Sequence, residues 1–256
     1  KKLVNIKVSK DKFDLGKEAG KKAAQIIRYS LQTKGEANII LATGMSQFET
    51  LQQLIAEEGI DWSKVRMFHL DEYIGLPESS PASFRKYLRE RFINRLPALR
   101  EVYLINGEAE NPEEECKRLG DIIRRYPIDL AFVGIGENGH LAFNDPPADF
   151  DIENPYIVVN LDTVCRTQQL GEGWFKTIDD VPTQAISMSI KQMLLSKYII
   201  CAVPDQRKAQ AVMNCLTKEV SNLHPASILQ IHPACYFYLD SQSASLISNT
   251  SEITNL

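Results

Sequence analysis

Short apolar runs alternate with longer amphipathic stretches along this chain, and that alternation predicts a parallel sheet covered by helices. Residues 14–33 place Leu15, Ala19, Ala23, Ile26 and Ile27 on one helical face, and 37–43 (ANIILAT) is a buried-strand candidate. A second stripe, Phe48, Leu51, Leu54 and Ile55, leads into the strand-like 65–70. The cycle repeats with a helix over 81–95, turning Phe84, Leu88 and Phe92 inward, and a strand over 102–105. Pro112 suits a first helical position, so a helix is expected to run from there to about 126, followed by a strand over 128–133 (IDLAFV). Further strands are expected over 156–161, 198–203 and 236–239, with a helix over 206–216. The expected fold is one doubly wound, mostly parallel α/β domain of Rossmann-like type over 1–256, with helices on both faces. Residues 145–155 (DPPADFDIENP) read as a loop, and the Ser-rich tail after Asp240 as partly ordered at best.

With 256 residues and 44% hydrophobic composition, the chain can bury a large core. A net charge of −4 gives no global field for nucleic acid or an acidic membrane, yet leaves a small anionic ligand open. The five cysteines form no C-x-x-C pair and are odd in number, which argues against a disulfide framework and fits a reducing cytoplasm. No signal peptide and no run of about 18 apolar residues is found. Four histidines without H-x-x-x-H spacing make a metal site a poor expectation.

Ligands of open parallel sheets gather at the carboxyl ends of strands, and three such segments carry polar residues together. Thr43, Gly44, Met45 and Ser46 follow a strand and open a helix, so their amides and the Ser46 hydroxyl suit an oxyanion. An ordinary turn with Ser46 as N-cap is the plainer reading. Asp71 and Glu72 stand at a strand terminus, where one can act as a base, though a solvated turn before Gly75 is the alternative. The third segment, 134–140, matches G-x-G-x-x-G after a strand, but two prolines follow where the dinucleotide fingerprint needs a helix. Its better reading is a hydrogen-bonded set of Asn138, His140 and Asp145 in which His140 passes protons near neutral pH; a structural histidine is the alternative.

These segments resemble the glucosamine-6-phosphate deaminase/isomerase family, within the 6-phosphogluconolactonase-like superfamily, over about 13–240. The carriers are FHLDEYIGL at 68–76, GIGENGHLAFNDP at 134–146 and LQIHP at 229–233. The resemblance implies that Asp71 moves the C2 proton of a hexosamine 6-phosphate to C1 and that His140 opens the pyranose ring, with Asn138 and Asp145 orienting it. Hydrolysis of the resulting imine would release ammonia and fructose 6-phosphate, with no cofactor. It further implies substrate contacts at Thr43, Gly44, Met45, Ser46, Glu72 and Lys208, although Lys208 taken alone reads better as a solvated helix-start lysine. An arginine of the family falls on Gln169, with Arg166 three residues earlier and expected on the same helical face. The family glutamate after Ala-Phe-Asn is Asp145, about 1.5 Å shorter. The segment matching a basic allosteric patch of some members, 151–160, is acidic and apolar, which predicts no activation by an acetylated amino-sugar phosphate.

A lactone hydrolase of the 6-phosphogluconolactonase type is the second reading, disfavoured because Leu-Ala-Phe-Asn-Asp-Pro follows His140. A sugar-phosphate-binding protein without turnover is the third, motivated by the altered phosphate loop, Gln169 and Asp145. The expected partner is a phosphorylated amino sugar, with no nucleic acid and no membrane; a homo-oligomer stays open.

Overall fold

The computed structural model describes residues 4–247 and the backbone of 253–255. In chain order the elements are β1 (Val4–Ser9), α1 (Lys12–Lys34), β2 (Ala37–Leu41), α2 (Phe48–Ala56), β3 (Val65–His69), β4 (Asp71–Tyr73), α3 (Phe84–Arg91), β5 (Glu101–Tyr103) and α4 (Pro112–Ile123). There follow β6 (Leu130–Val133), β7 (Tyr156–Asn160), α5 (Thr163–Gly171), β8 (Gln184–Met188), α6 (Ile190–Leu194), β9 (Tyr198–Val203), α7 (Ala209–Thr217), β10 (Cys235–Asp240) and β11 (Ile253–Asn255). Residues 241–246 of the Ser-rich tail form turns, while 1–3, 248–252 and 256 lie outside the described residues.

Eight strands form one sheet in the order β11-β1-β10-β9-β6-β2-β3-β5, every neighbouring pair parallel. The pleat sends alternate residues to opposite faces, and the two cores divide accordingly. Ile39, Leu41, Met67, Leu130, Phe132 and Ile200 meet α1, α2 and α3 on one side. Ile40, Phe68, Ala131, Val133, Ile199 and Cys201 meet α4, α6 and α7 on the other. A strand buried on both faces must be apolar throughout, which is why β2, β6 and β9 stand out in the sequence. Helix α1 starts where Asp11 accepts the Asp14 N–H at 2.9 Å, a cap that contributes about 1 kcal/mol, and stops at Gly35.

From β2 the chain steps outward through β3 to β5, then returns to β6 on the other side of β2 and moves outward through β9 and β10. The reversal between β2 and β6 opens a crevice at their carboxyl ends. A second sheet of three antiparallel strands, β4-β8-β7, stands beside it and was not expected from the hydrophobic pattern. Asp71 and Glu72 therefore begin a separate short strand, pairing Asp71 with Ser187 and Tyr73 with Ala185, and do not simply trail the end of β3. Among the described residues, no helix is long and apolar enough to cross a membrane.

Candidate active site

A cavity of about 580 Å³ occupies the carboxyl edge of the sheet, walled by the segments that follow β1, β2, β3, β6, β9 and β10. Thr43, Gly44, Met45 and Ser46 line it after β2. Gly44 has φ 97°, a conformation that side-chain-bearing residues avoid, and the space a Cβ would take there is open. Its carbonyl accepts the Tyr87 hydroxyl at 2.7 Å, which ties the loop to α3. Ser46 is not an N-cap: residues 45–47 form a 3-10 turn with no side-chain cap, and the Ser46 hydroxyl accepts from Gln47 Nε2 at 3.1 Å instead.

Asp71 lines the same cavity while being 7% exposed. Burial first, and then the neighbouring Glu72 charge, push its carboxyl up to about 8, which favours the protonated form at neutral pH. Glu72 lies away from the cavity, contrary to its expected substrate contact. Fully buried, it accepts from Ser83 Oγ at 3.0 Å, the backbone N–H of Tyr73, Phe84 and Arg85 at 2.9, 3.2 and 2.9 Å, and Arg85 Nε at 3.1 Å. Two of those donors, the Phe84 and Arg85 N–H groups, are free amides of the first turn of α3, so the carboxylate anchors that helix to β4.

The loop after β6 carries His140, whose ring faces the cavity. Asn138 Nδ2 donates to Asp145 Oδ1 at 3.2 Å, an acceptor-only partner, which fixes the amide with its oxygen toward the histidine. Asn138 Oδ1 then accepts both the His140 N–H at 3.1 Å and Nδ1 at 2.6 Å. Nδ1 therefore carries the ring proton and Nε2 keeps a free lone pair. Burial first, and Lys208 after it, bring the imidazole down to about 4 against the opposing pull of Asp145, so the ring is neutral at physiological pH. Asn138 and Asp145 stand behind His140 and reach the cavity through it.

The loop after His140 is registered against Asp71 by β8. Ser187, paired with Asp71 across the small sheet, accepts the Phe143 N–H at 3.1 Å, and Asn144 Nδ2 donates to the Met188 carbonyl at 2.9 Å. One short strand thus fixes both candidate catalytic segments. After β9, Lys208 enters the cavity from a turn that starts at Asp205, whose φ of 92° is rare for a residue with a side chain. That strain, about 1–3 kcal/mol, is held by Asp205 N–H donating to Asp240 Oδ2 and its carboxylate accepting the Arg207 N–H, both at 3.1 Å. Lys208 is 3.8 Å from Glu172. Among the described residues no group of three or more His, Cys, Asp or Glu side chains could hold a metal ion.

Residues 10–236 match the family model of glucosamine-6-phosphate isomerases/6-phosphogluconolactonase. The chain belongs to this family. It is 38% identical over 228 residues to the glucosamine-6-phosphate deaminase of Listeria monocytogenes serotype 4a (strain HCC23), covering 89% of this chain and 94% of that one. The glucosamine-6-phosphate deaminase of Streptococcus pneumoniae (strain 70585) is 35% identical over 230 residues, covering 90% and 95%. Among solved structures, a monomeric glucosamine-6-phosphate deaminase superposes with a TM-score of 0.86 at 30% identity, covering 95% of this chain and 100% of that one. A 6-phosphogluconolactonase from Trypanosoma brucei shares the fold, with a TM-score of 0.78 at 18% identity over 97% and 100% of the two chains.

Within this member of the glucosamine-6-phosphate isomerase/6-phosphogluconolactonase family, α5 does not present Gln169 and Arg166 together. Gln169 lines the cavity and accepts the Tyr73 hydroxyl at 2.9 Å. Arg166 turns away and is spent on backbone carbonyls, donating to Ile178 at 2.8 Å and Val181 at 2.9 and 3.1 Å. Other cavity residues, Lys10 to Phe13 after β1 and Ser241 and Gln242 after β10, were invisible in the sequence. Their signal would have been β1, whose alternating VNIKVS reads as a half-buried strand once it is paired with β10. Ser187 carried no signal, because its role comes only from pairing.

Proposed function

We propose that this chain is a glucosamine-6-phosphate deaminase, which turns its substrate into fructose 6-phosphate and ammonia. The observation that carries the reading is one cavity lined by a protonatable carboxyl, Asp71, a neutral histidine with a free Nε2, and an anion cradle of the 43–46 loop and Lys208. His140 Nε2 takes the proton of the anomeric hydroxyl and returns it to the ring oxygen as the pyranose opens. The ring charge that forms in between is spread through Asn138 to Asp145. Opening creates a C1 aldehyde and makes the C2 proton acidic.

Asp71 must be ionised to take that proton. The substrate's own 2-ammonium group, brought beside the carboxyl, favours the ionised form and lowers its pKa from about 8. Asp71 removes the C2 proton while the 2-ammonium group loses a proton and the C1 carbonyl oxygen gains one, leaving an enolamine; delivery of the proton held by Asp71 to C1 then leaves an iminium at C2. Water adds there and ammonia departs. Phe84, stacked 5.9 Å from Phe143, supplies an apolar wall to this part of the cavity.

The five cysteines are buried free thiols, which supports a reducing, cytoplasmic setting. The deciding assay is ammonia and fructose 6-phosphate release from glucosamine 6-phosphate, run beside galactosamine 6-phosphate and 6-phosphogluconolactone. Equimolar release of both products is expected; lactone hydrolysis without ammonia release would overturn the proposal in favour of the lactonase branch.

A further inference from the structure

We propose that Gln47 is a positioning residue that makes the Ser46 hydroxyl an obligate hydrogen-bond donor to the substrate's phosphate. This deepens the reading of the cavity as a sugar-phosphate site and rests on it. Gln47 directly follows the cradle and is 1% exposed. Its side chain crosses the carboxyl ends of the central strands, with Nε2 donating to Ser46 Oγ at 3.1 Å and to the Ala202 carbonyl at 3.4 Å. A backbone carbonyl only accepts, so nitrogen and not oxygen faces Ala202, and the amide orientation is set.

A serine hydroxyl has one proton and two lone pairs. Donation from Gln47 Nε2 occupies a lone pair, so the Ser46 proton has to point elsewhere, and Ser46 lines the cavity. A phosphate oxygen is a pure acceptor and uses that proton. Without Gln47 the hydroxyl rotates among partners and loses this bias. The other end of the amide supports a specific role: Gln47 Oε1 is buried and has no protein hydrogen-bond partner. Leucine would fill the same space without burying an unpaired acceptor, so packing alone gives no reason for glutamine here.

The test is a double-substitution cycle with Gln47→Leu, Ser46→Ala and the pair, reading kcat and KM for glucosamine 6-phosphate and, by calorimetry, binding of inorganic phosphate. Gln47→Leu is expected to raise KM and the phosphate Kd by roughly 3- to 10-fold, the size of one neutral hydrogen bond, with kcat within twofold. In the Ser46→Ala background the same change should have no further effect beyond twofold. Gln47→Glu, nearly isosteric, cannot donate when ionised and adds charge, so it should weaken phosphate more than leucine does and serves if the leucine variant fails to fold. Full additivity of the two substitutions, or unchanged phosphate affinity in both Gln47 variants, overturns the proposal. Should wild-type protein bind phosphate yet release no ammonia, the deaminase reading falls while the Ser46–Gln47 coupling is still measured by calorimetry; wild-type protein that binds no phosphate removes the positioning role itself.

Discussion

Replacing Gly136 by Ala puts a methyl carbon 1.9 Å from His140 Cε1, 2.2 Å from Nδ1 and 2.3 Å from Nε2. Gly136 does not have a positive φ, so alanine adopts its backbone without strain and the ring contact is the main perturbation. Restoring an ordinary carbon–carbon separation of about 3.5 Å requires the imidazole to withdraw by about 1.5 Å. The backbone cannot easily yield, because the Gly136 N–H donates to the His140 carbonyl at 3.0 Å and the Gly139 N–H to the Gly136 carbonyl at 2.8 Å. A displaced ring loses the 2.6 Å contact with Asn138 that fixes its tautomer. Since about 1 Å of misplacement costs on the order of a hundredfold in rate, Gly136→Ala should lower kcat by about 100-fold or more in the ammonia-release assay. Overpacking should cost about 1–3 kcal/mol of stability by urea denaturation, and inorganic phosphate affinity should be unchanged. A variant that folds and turns over within threefold of wild type would refute the placement of His140 over this glycine.

Asp71→Asn should reduce turnover by about 10²- to 10⁴-fold and leave phosphate binding intact, as checked by steady-state kinetics beside calorimetry. Because burial raises the Asp71 carboxyl from 3.8 to about 8, the folded state holds this proton longer than the unfolded chain does. Wild type should therefore lose stability relative to Asp71→Asn as pH rises from about 4 to about 8, with a constant gap above, measured by denaturant midpoints. In the wild type, kcat/KM should rise with pH and level above about 8. Glu72→Ala should act on folding, not on substrate contact: it leaves Arg85 and the α3 amides without their buried carboxylate, and about 3–5 kcal/mol should be lost in equilibrium unfolding. Lys208→Met should raise KM at least about 10-fold while leaving kcat within a few-fold, since its charge acts on bound substrate and transition state alike.

The parallel sheet was legible because strands buried on both faces must be apolar throughout, as ANIIL in β2 and YIICAV in β9 are. β1 and β8 were not, since VNIKVS alternates and QAISM is mixed; each is a strand because of what it pairs with. The same limit governed the site. Thr43 to Ser46, Asp71 and His140 could be named from their position after strands, and Lys208 only through the family resemblance; all of them line one cavity. Glu72 sits beside Asp71 in sequence, but successive residues of a strand point to opposite sides, so one faces the cavity and the other the α3 amides. Arg166 and Gln169 satisfy the i, i+3 rule for a shared face, yet a long guanidinium goes where acceptors are, and the 178–181 turn offers two carbonyls. No local pattern encodes the location of that turn.

The carboxylate at 145 shows how distance and connectivity trade in this site. A direct Asp–His pair would need the carboxyl within hydrogen-bond reach of Nδ1, and Asp145 Oδ1 stands 3.5 Å away. Nδ1 is instead served by Asn138 at 2.6 Å, and Asn138 is in turn served by Asp145 at 3.2 Å. The carboxylate thus acts mainly through an amide, whose oxygen is polarised toward the ring by the charge accepting from its nitrogen. Asp145 reaches the ring through a two-bond relay, and the tautomer of His140 is set by an asparagine whose own orientation Asp145 and the His140 backbone N–H fix together. Burial of the Cys165 thiol, pushed up further by the Asp145 charge beside it, closes the other side of that carboxylate with a neutral group. What the relay holds at position 145 is a carboxylate that reaches Asn138 at 3.2 Å.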